Sequence, residues 1–392
     1  MSPAGRLVPA GESAAWPRPL DADSLSKWAE VNVGVLRSNI ESLVEFVAPT
    51  AAVMVMVKGN GYGHGAVLTA RAAVAAGAAW LGVSAADEAL QLRNAGINVP
   101  VLVVGWVPDA ALPALVKAEV DLTVYTPTVV AATIAAAKAV ARPARVHVKL
   151  DTGMGRLGVQ PDELPELIES LRDAGRHLLV TGIFTHFASA GSDTEFTLHQ
   201  NGLFSEHAKR FREVFPDAIA HAANSAALLS LPETHHDVVR PGIAIYGYPP
   251  SGTGGAIELR PALSVYARIS HLKIVATGAT VGYGREWMAT RSTRVATVAV
   301  GYADGVFRAQ GNHGVVLCAG QECAIIGRVS MDQIGVDVSH VEDVKVGDPV
   351  LLLGQDGEGT LSADTVAANA NTISYEVLTA ISARVPRFVI ST

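Results

Sequence analysis

From residue 51 to 247, short and almost continuously apolar runs alternate with Ala-rich stretches of helical character. The runs cover residues 51–58, 78–85, 100–106, 120–126, 145–151, 178–187, 218–224 and 237–247. Strands covered on both faces read in this continuous way, whereas half-exposed strands alternate. Helices are predicted between them, over 87–95, 127–141, 161–174 and 195–215 among others. Eight β-then-α units over about 200 residues predict a (β/α)8 barrel of the TIM type, with its active site at the C-terminal strand ends. An open doubly wound sheet is the alternative, though it more often carries five or six strands.

Beyond about residue 259 the pattern changes. Short runs at 263–275, 293–302, 314–319, 323–328, 335–338 and 349–353 are separated by Gly- and Asp-rich turns, which predicts a mainly antiparallel β domain. In this half only 362–383 reads as helical. The expected division is a flexible tail over 1–24, a barrel domain over 25–259 and a β domain over 260–392. A strand at 25–33, preceding a helix at 34–47, is a candidate to pair with the second domain. The chain's 392 residues agree with two or three domains at about 150 residues each.

Composition narrows the function classes. Apolar residues make up 49% and charged ones 17%, below the roughly 25% common in soluble domains. That fits a compact globule with surface buried in an oligomer. The net charge of −7 and the lack of a basic run argue against nucleic acid and anionic membranes as partners. No apolar span reaches the roughly 18 residues of a transmembrane helix. Residues 1–24, with four prolines and no charged-then-apolar order, do not read as a secretory signal. The two cysteines, Cys318 and Cys323, form neither a disulfide framework nor a zinc pattern, so a reduced, cytoplasmic setting and no metal are expected.

Polar residues gather where the barrel strands end. The first run closes on Lys58, followed by Gly59-Asn60-Gly61-Tyr62-Gly63-His64-Gly65. A lysine there either snorkels to solvent or has a partner and a lowered pKa, as a Schiff-base lysine requires. The glycine-rich loop allows close backbone approach to a phosphate. The fifth run ends in Lys149-Leu150-Asp151-Thr152-Gly153-Met154-Gly155-Arg156, where Arg156 is either a surface arginine or a carboxylate clamp. His186 stands among apolar neighbours, as a satisfied core histidine or a catalyst. Asn224-Ser225 cap a helix or donate to a ligand. Arg240-Pro241-Gly242-Ile243 combines a buried cation with free N–H groups. Together these strand ends describe a phosphate-bearing cofactor at the barrel mouth.

These motifs, in this order, resemble those of the alanine racemase family, pyridoxal 5'-phosphate (PLP) enzymes with a barrel and a C-terminal β domain. The likeness runs from about Trp28 to Arg387 and includes Gly301-Tyr302-Ala303-Asp304-Gly305 and Met331-Asp332-Gln333. Gly59 and Gly61 stand where the family usually has alanine, and Ser330 and Thr379 where cysteine is common. The resemblance implies that Lys58 carries PLP and that Tyr62, Asn224, Ser225, Gly242, Ile243 and Tyr375 help to hold it. Arg240 faces the pyridine nitrogen. Arg156 and Met331 bind the substrate carboxylate, and Tyr302, Arg328 and Asp332 line the access channel. Lys149 matches a lysine that is often carbamylated.

The resemblance further implies two bases, Lys58 on one face of Cα and Tyr283, from the other subunit of a homodimer, on the opposite face, with His186 as the tyrosine's partner. A free phenol titrates at about pH 10, so a tyrosine base needs such help. The implied activity is interconversion of L- and D-alanine, feeding peptidoglycan. The alternatives are a racemase of serine or another small amino acid, and a non-catalytic PLP-binding carrier, which has no use for a base at Tyr283. A decarboxylase on the same barrel does not need that base either.

Overall fold

A computed structural model describes residues 24–250, 253, 255, 257–357 and 359–390. The expected tail over 1–24 lies, apart from Ser24, outside the described residues. The chain forms two compact units. Among the described residues, one comprises those within Arg37–Gly61 and Ala66–Leu259; the other comprises those up to Leu36, Tyr62–Gly65 and those from Arg260 on.

The strand Lys27–Asn32 (β1) belongs to the second of these. It pairs antiparallel with Leu263–Val275 and parallel with Arg387–Ile390. In this register Trp28 stands opposite Tyr266, and their rings stack at 5.2 Å.

The barrel strands are β2 (Ala52–Met56), β3 (Trp80–Val83), β4 (Val101–Val103), β5 (Asp121–Val124), β6 (Ala144–Lys149), β7 (Leu178–Phe184), β8 (Ile219–His221) and β9 (Val238–Val239). All pair in parallel, and β9 returns to β2 to close the ring. The eighth apolar run is mostly not strand. Pro241 lacks the N–H a ladder needs, and after β9 the chain turns into a short 3-10 helix, Ile243–Tyr246, ended by Gly247 at φ +94°. Tyr246 Oη then donates to the Met56 carbonyl (3.0 Å), fixing this segment across the barrel end.

The β unit is mainly antiparallel. Leu263–Val275, the longest strand, pairs with Thr293–Val298 along one part and with Pro349–Asp356 along another. Val315–Cys318, Gln321–Ile326 and Ile334–Asp337 complete a ring of six strands. Its core holds Ile269, Val298, Val316, Ile325, Val336 and both cysteines, which are free and buried. The single helix expected over 362–383 is two, Ala363–Ala370 and Ser374–Ala380. Asn371 at φ +55° ends the first, the left-handed cap that asparagine tolerates.

Candidate active site

Lys58 is separated from β2 by Val57 and opens a turn of unusual hand. Gly59, Asn60, Gly61 and Tyr62 have φ of +61°, +53°, +62° and +48°. Such a run is costly for side-chain-bearing residues, and local bonds hold it. Gly61 N–H donates to the Val57 carbonyl (2.8 Å), and Asn60 Oδ1 accepts from Ala66 N–H (3.0 Å) at the start of the next helix. Glu88 accepts from Gly59 N–H (2.6 Å) and, with its other oxygen, from the N–H of Ser84 (2.9 Å).

Four cationic side chains converge at this end of the barrel. Burial lowers the Lys58 pKa, and Arg156 and Arg240 lower it further, while Glu88 opposes them. Lys149 ends β6, is buried, and sits 5.4 Å from the Phe184 ring centroid. Burial, then Arg240, Arg156 and Lys58, bring its pKa down to about 8 against the pull of Asp151. Arg156 rides on a loop that Asp151 shapes by accepting from the N–H groups of Gly153 (3.0 Å), Met154 (2.9 Å) and Gly155 (3.0 Å). The guanidinium of Arg156 is exposed and bonds to no described residue.

Arg240 is buried, and its guanidinium donates to the carbonyls of Thr185 (2.7 Å) and Ala222 (3.0 Å) and to His221 Nδ1 (3.0 Å). Burial lowers its pKa to about 9, still high enough to keep the charge at neutral pH. It also reaches His186 Nδ1 at 3.3 Å. A guanidinium only donates, so His186 Nδ1 is the acceptor and the ring hydrogen is on Nε2. Burial, and then the four cations with Arg240 foremost, hold the His186 pKa well below 6.5, so the ring is neutral.

Asn224 takes the capping role: its Oδ1 accepts from the N–H groups of Ala226 and Ala227, both at 3.1 Å. Ser225 Oγ accepts from Gly242 N–H (2.9 Å) and Ala244 N–H (3.3 Å), which brings Gly242 and Ile243 beside it.

The β unit carries the remaining residues. Tyr62 and Tyr375 face one another with ring centroids 6.1 Å apart. Burial raises both phenol pKa values, that of Tyr375 to about 12, so both remain hydrogen-bond donors. Tyr283 is 71% exposed on a turn with Gly282, Gly284 and Arg285 at positive φ. Arg328 packs under that turn and bonds to Glu286. Tyr302 N–H and Ala303 N–H donate to the carbonyls of Ser330 (3.0 Å) and Met331 (3.1 Å), tying those two loops together. Asp332 bonds to Arg384 (2.6 Å), and buried Asp304 accepts from Lys27 (2.7 Å).

Reading the sequence alone missed Glu88, His221, His147 and Asp121. The first carries no signal, being one of many acidic residues in helical first turns. His147 did carry one: it lies two residues before Lys149 on the same strand, so both point to one face.

Four cations against the two nearby carboxylates Glu88 and Asp151 leave a net positive charge that suits an anionic guest. Asp151 and Glu88 are spent on backbone N–H groups. Within the barrel unit, a lysine of lowered pKa beside Arg156, Arg240 and Lys149 forms a donor set that fits an anionic aldehyde. Fold and site thus define an enzyme with a barrel-mouth anion site and a separate β unit. Two family models match the chain: the alanine racemase N-terminal domain over residues 31–250 and the C-terminal domain over residues 262–389. The chain is 39% identical to an alanine racemase of Symbiobacterium thermophilum, over 94% of this chain and 98% of that one. It is 40% identical to that of Desulforamulus reducens, over 93% and 98%. A solved alanine racemase from the D-cycloserine producer Streptomyces lavendulae superposes with a TM-score of 0.88 at 37% identity, covering 94% of this chain and 97% of that one. The chain belongs to the alanine racemase family of isomerases.

Proposed function

We propose that this chain interconverts L- and D-alanine with PLP held on Lys58, and that it supplies D-alanine for peptidoglycan in the cytoplasm. The observation that carries the reading is the set of Lys58, Lys149, Arg156 and Arg240 around one barrel mouth, four cations offset there by Glu88 and Asp151. Among the described residues no helix is long and apolar enough to cross a membrane.

Bound PLP supplies the electron sink that makes the Cα–H of an attached amino acid acidic. Tyr62, Tyr375, Ser225, Gly242 and Ile243 would bind its phosphate, with Asn224 holding the Ser225 turn in place. Arg240 keeps its charge at neutral pH and releases no proton readily, so it would leave a cofactor ring nitrogen unprotonated. That keeps the sink shallow and disfavours transamination. Arg156 and the Met331 N–H bind the substrate carboxylate, while Tyr302, Arg328 and Asp332 line its approach. Lys149, once carbamylated, orients Arg156 as an anion.

Racemisation needs a proton removed from one face of Cα and another delivered to the opposite face. Lys58 Nζ holds and returns the proton on one side; its lowered pKa favours the neutral amine this requires. Tyr283 Oη, presented by a second copy of the chain, serves the other side. His186, neutral with its hydrogen on Nε2, donates to the phenolate and stabilises it. A homodimer with two shared sites follows, and the 71% exposure of Tyr283 in the single chain supports it.

Incubation with L-alanine in D2O tests the proposal. Loss of optical rotation with deuterium appearing at Cα is expected. Tyr283→Phe should lower turnover at least about 100-fold while leaving the cofactor's absorbance in place. Rotation that persists in the wild type with cofactor bound overturns the alanine assignment, and a panel of serine and other small amino acids then identifies the substrate.

A further inference from the structure

The inside of an eight-stranded parallel barrel is ordinarily filled by layers of branched apolar side chains. In this one a line of polar side chains runs through it. Arg240 Nη1 donates to His221 Nδ1 at 3.0 Å. His221 Nε2 meets His147 Nδ1 at 2.9 Å, and His147 Nε2 faces Asp121 Oδ1 at 3.7 Å. His221, His147 and Asp121 are wholly buried. Asp121 opens β5 and is gripped by Arg145 (3.1 Å), near the start of β6, and by Thr181 Oγ1 (3.0 Å). The line therefore passes from the mouth of the barrel toward the N-terminal ends of its strands.

The sequence makes room for it. Gly182 lies inside β7, where glycine weakens a strand and often marks a close approach. A Cβ there would sit 2.4 Å from His147 Nδ1. The register between β6 and β7 shifts at the same place, between Val146 and His147. Phe184 stacks on the His221 ring at 4.8 Å, and Trp80 meets His147 edge-on at 5.3 Å.

The hydrogens in this line have one consistent arrangement. A guanidinium has no lone pair to offer, so the Nδ1 of His221 accepts and its hydrogen is on Nε2. That hydrogen goes to His147 Nδ1, which places the His147 hydrogen on Nε2, facing the Asp121 carboxylate across 3.7 Å, beyond hydrogen-bond distance. Both imidazoles are neutral, and every donor points from the cation toward the anion. Burial and then Arg240 hold the His221 pKa well below 6.5, in keeping with a neutral ring.

We propose that His147 and Asp121 are positioning residues for Arg240, giving it a fixed lone pair through two neutral imidazoles and a counter-charge at the far end of the line. Among the described residues no carboxylate touches the guanidinium, so the line is its link to an anion. This rests on Arg240 facing the ring nitrogen of the cofactor, as proposed above.

Long-range 1H–15N spectra of the histidine rings test it on the cofactor-loaded protein. At about pH 8, His221 should appear as the neutral Nε2–H tautomer and His147 Nδ1 should carry no hydrogen. His147→Phe fills the space but leaves the His221 hydrogen without an acceptor, and Asp121→Asn removes the charge with little change in shape. Each should lower kcat for alanine by about 10-fold or more with KM within about twofold, as loss of an outer hydrogen-bond partner does elsewhere. Each should also shift, in the same direction, the pH at which the bound cofactor's absorbance changes. A wild-type His221 protonated on Nδ1 overturns the proposal, as does an Asp121→Asn protein with unchanged kcat and unchanged cofactor titration. A wild type that does not racemise alanine sinks the proposed function instead. The tautomers are read without substrate and decide the line independently.

Discussion

His186, His221 and His236 each refuse a proton that a free imidazole accepts at about pH 6.5. Burial is the main cause in all three, and nearby arginines add to it; His236 is brought down to about 4. Between pH 6.5 and 4 the unfolded chain binds protons that the folded chain does not, so acidification through this window lowers stability. The urea midpoint should fall from pH 7 to pH 5, and a midpoint that holds or rises contradicts the protonation states on which His186 and His221 depend. Lys149 gives a prediction of opposite direction. Only its neutral amine can attack CO2, forming the N–C bond and releasing a proton, and that fraction grows as pH rises through about 8. With 13C-bicarbonate, a carbamate resonance should strengthen from pH 7 to pH 9 in the wild type and be absent from Lys149→Arg. At this scale the chemistry was legible wherever a charged or polar residue closed an apolar strand, as Lys58, Lys149 and Arg240 do. The tautomers were not, because they follow from contacts between residues as distant in sequence as His147 and His221.

The elements of the barrel were legible because parallel strands buried on both faces leave long apolar runs, and β6 and β7 lie within or beside the runs that predicted them. Segments without that signature escaped. The paired short strands Thr280–Val281 and Trp287–Met288, which flank the Tyr283 turn, are two residues each, too short for any period to register. The left-handed turn after Lys58 was visible only as an excess of glycine. Gly63, at φ +83°, ends that turn, and a Cβ there would lie 2.1 Å from the Leu378 carbonyl oxygen. Gly96 has a similar φ of +78° with nothing within 4 Å. Gly96→Ala should therefore cost only the conformational penalty of about 1–2 kcal/mol. Gly63→Ala should cost at least about 2 kcal/mol more, since backbone must move. Equal losses in denaturant titrations would show that the Gly63 contact does not constrain the segment.

For the whole molecule, the sequence carried the two-domain plan in its change of texture near residue 259, and the family models divide between 250 and 262. The strand expected over 25–33 as a candidate partner of the second domain does enter the β unit, pairing with Leu263–Val275 and with Arg387–Ile390. A single chain's periodicity does not bear on the proposed sharing of a site between two copies. The exposure of Tyr283 and Met331, side chains with large apolar surfaces, points the same way as the low charge fraction. The central claim is that one active site takes Lys58 from one copy and Tyr283 from another. Mixing inactive Lys58→Ala and Tyr283→Phe proteins under conditions that exchange subunits tests it most directly. Random pairing places half the protein in heterodimers, each with one intact site, so about a quarter of wild-type alanine racemisation should return. If the mixture stays inactive although heterodimers form, the two bases do not come from different subunits and the account is contradicted.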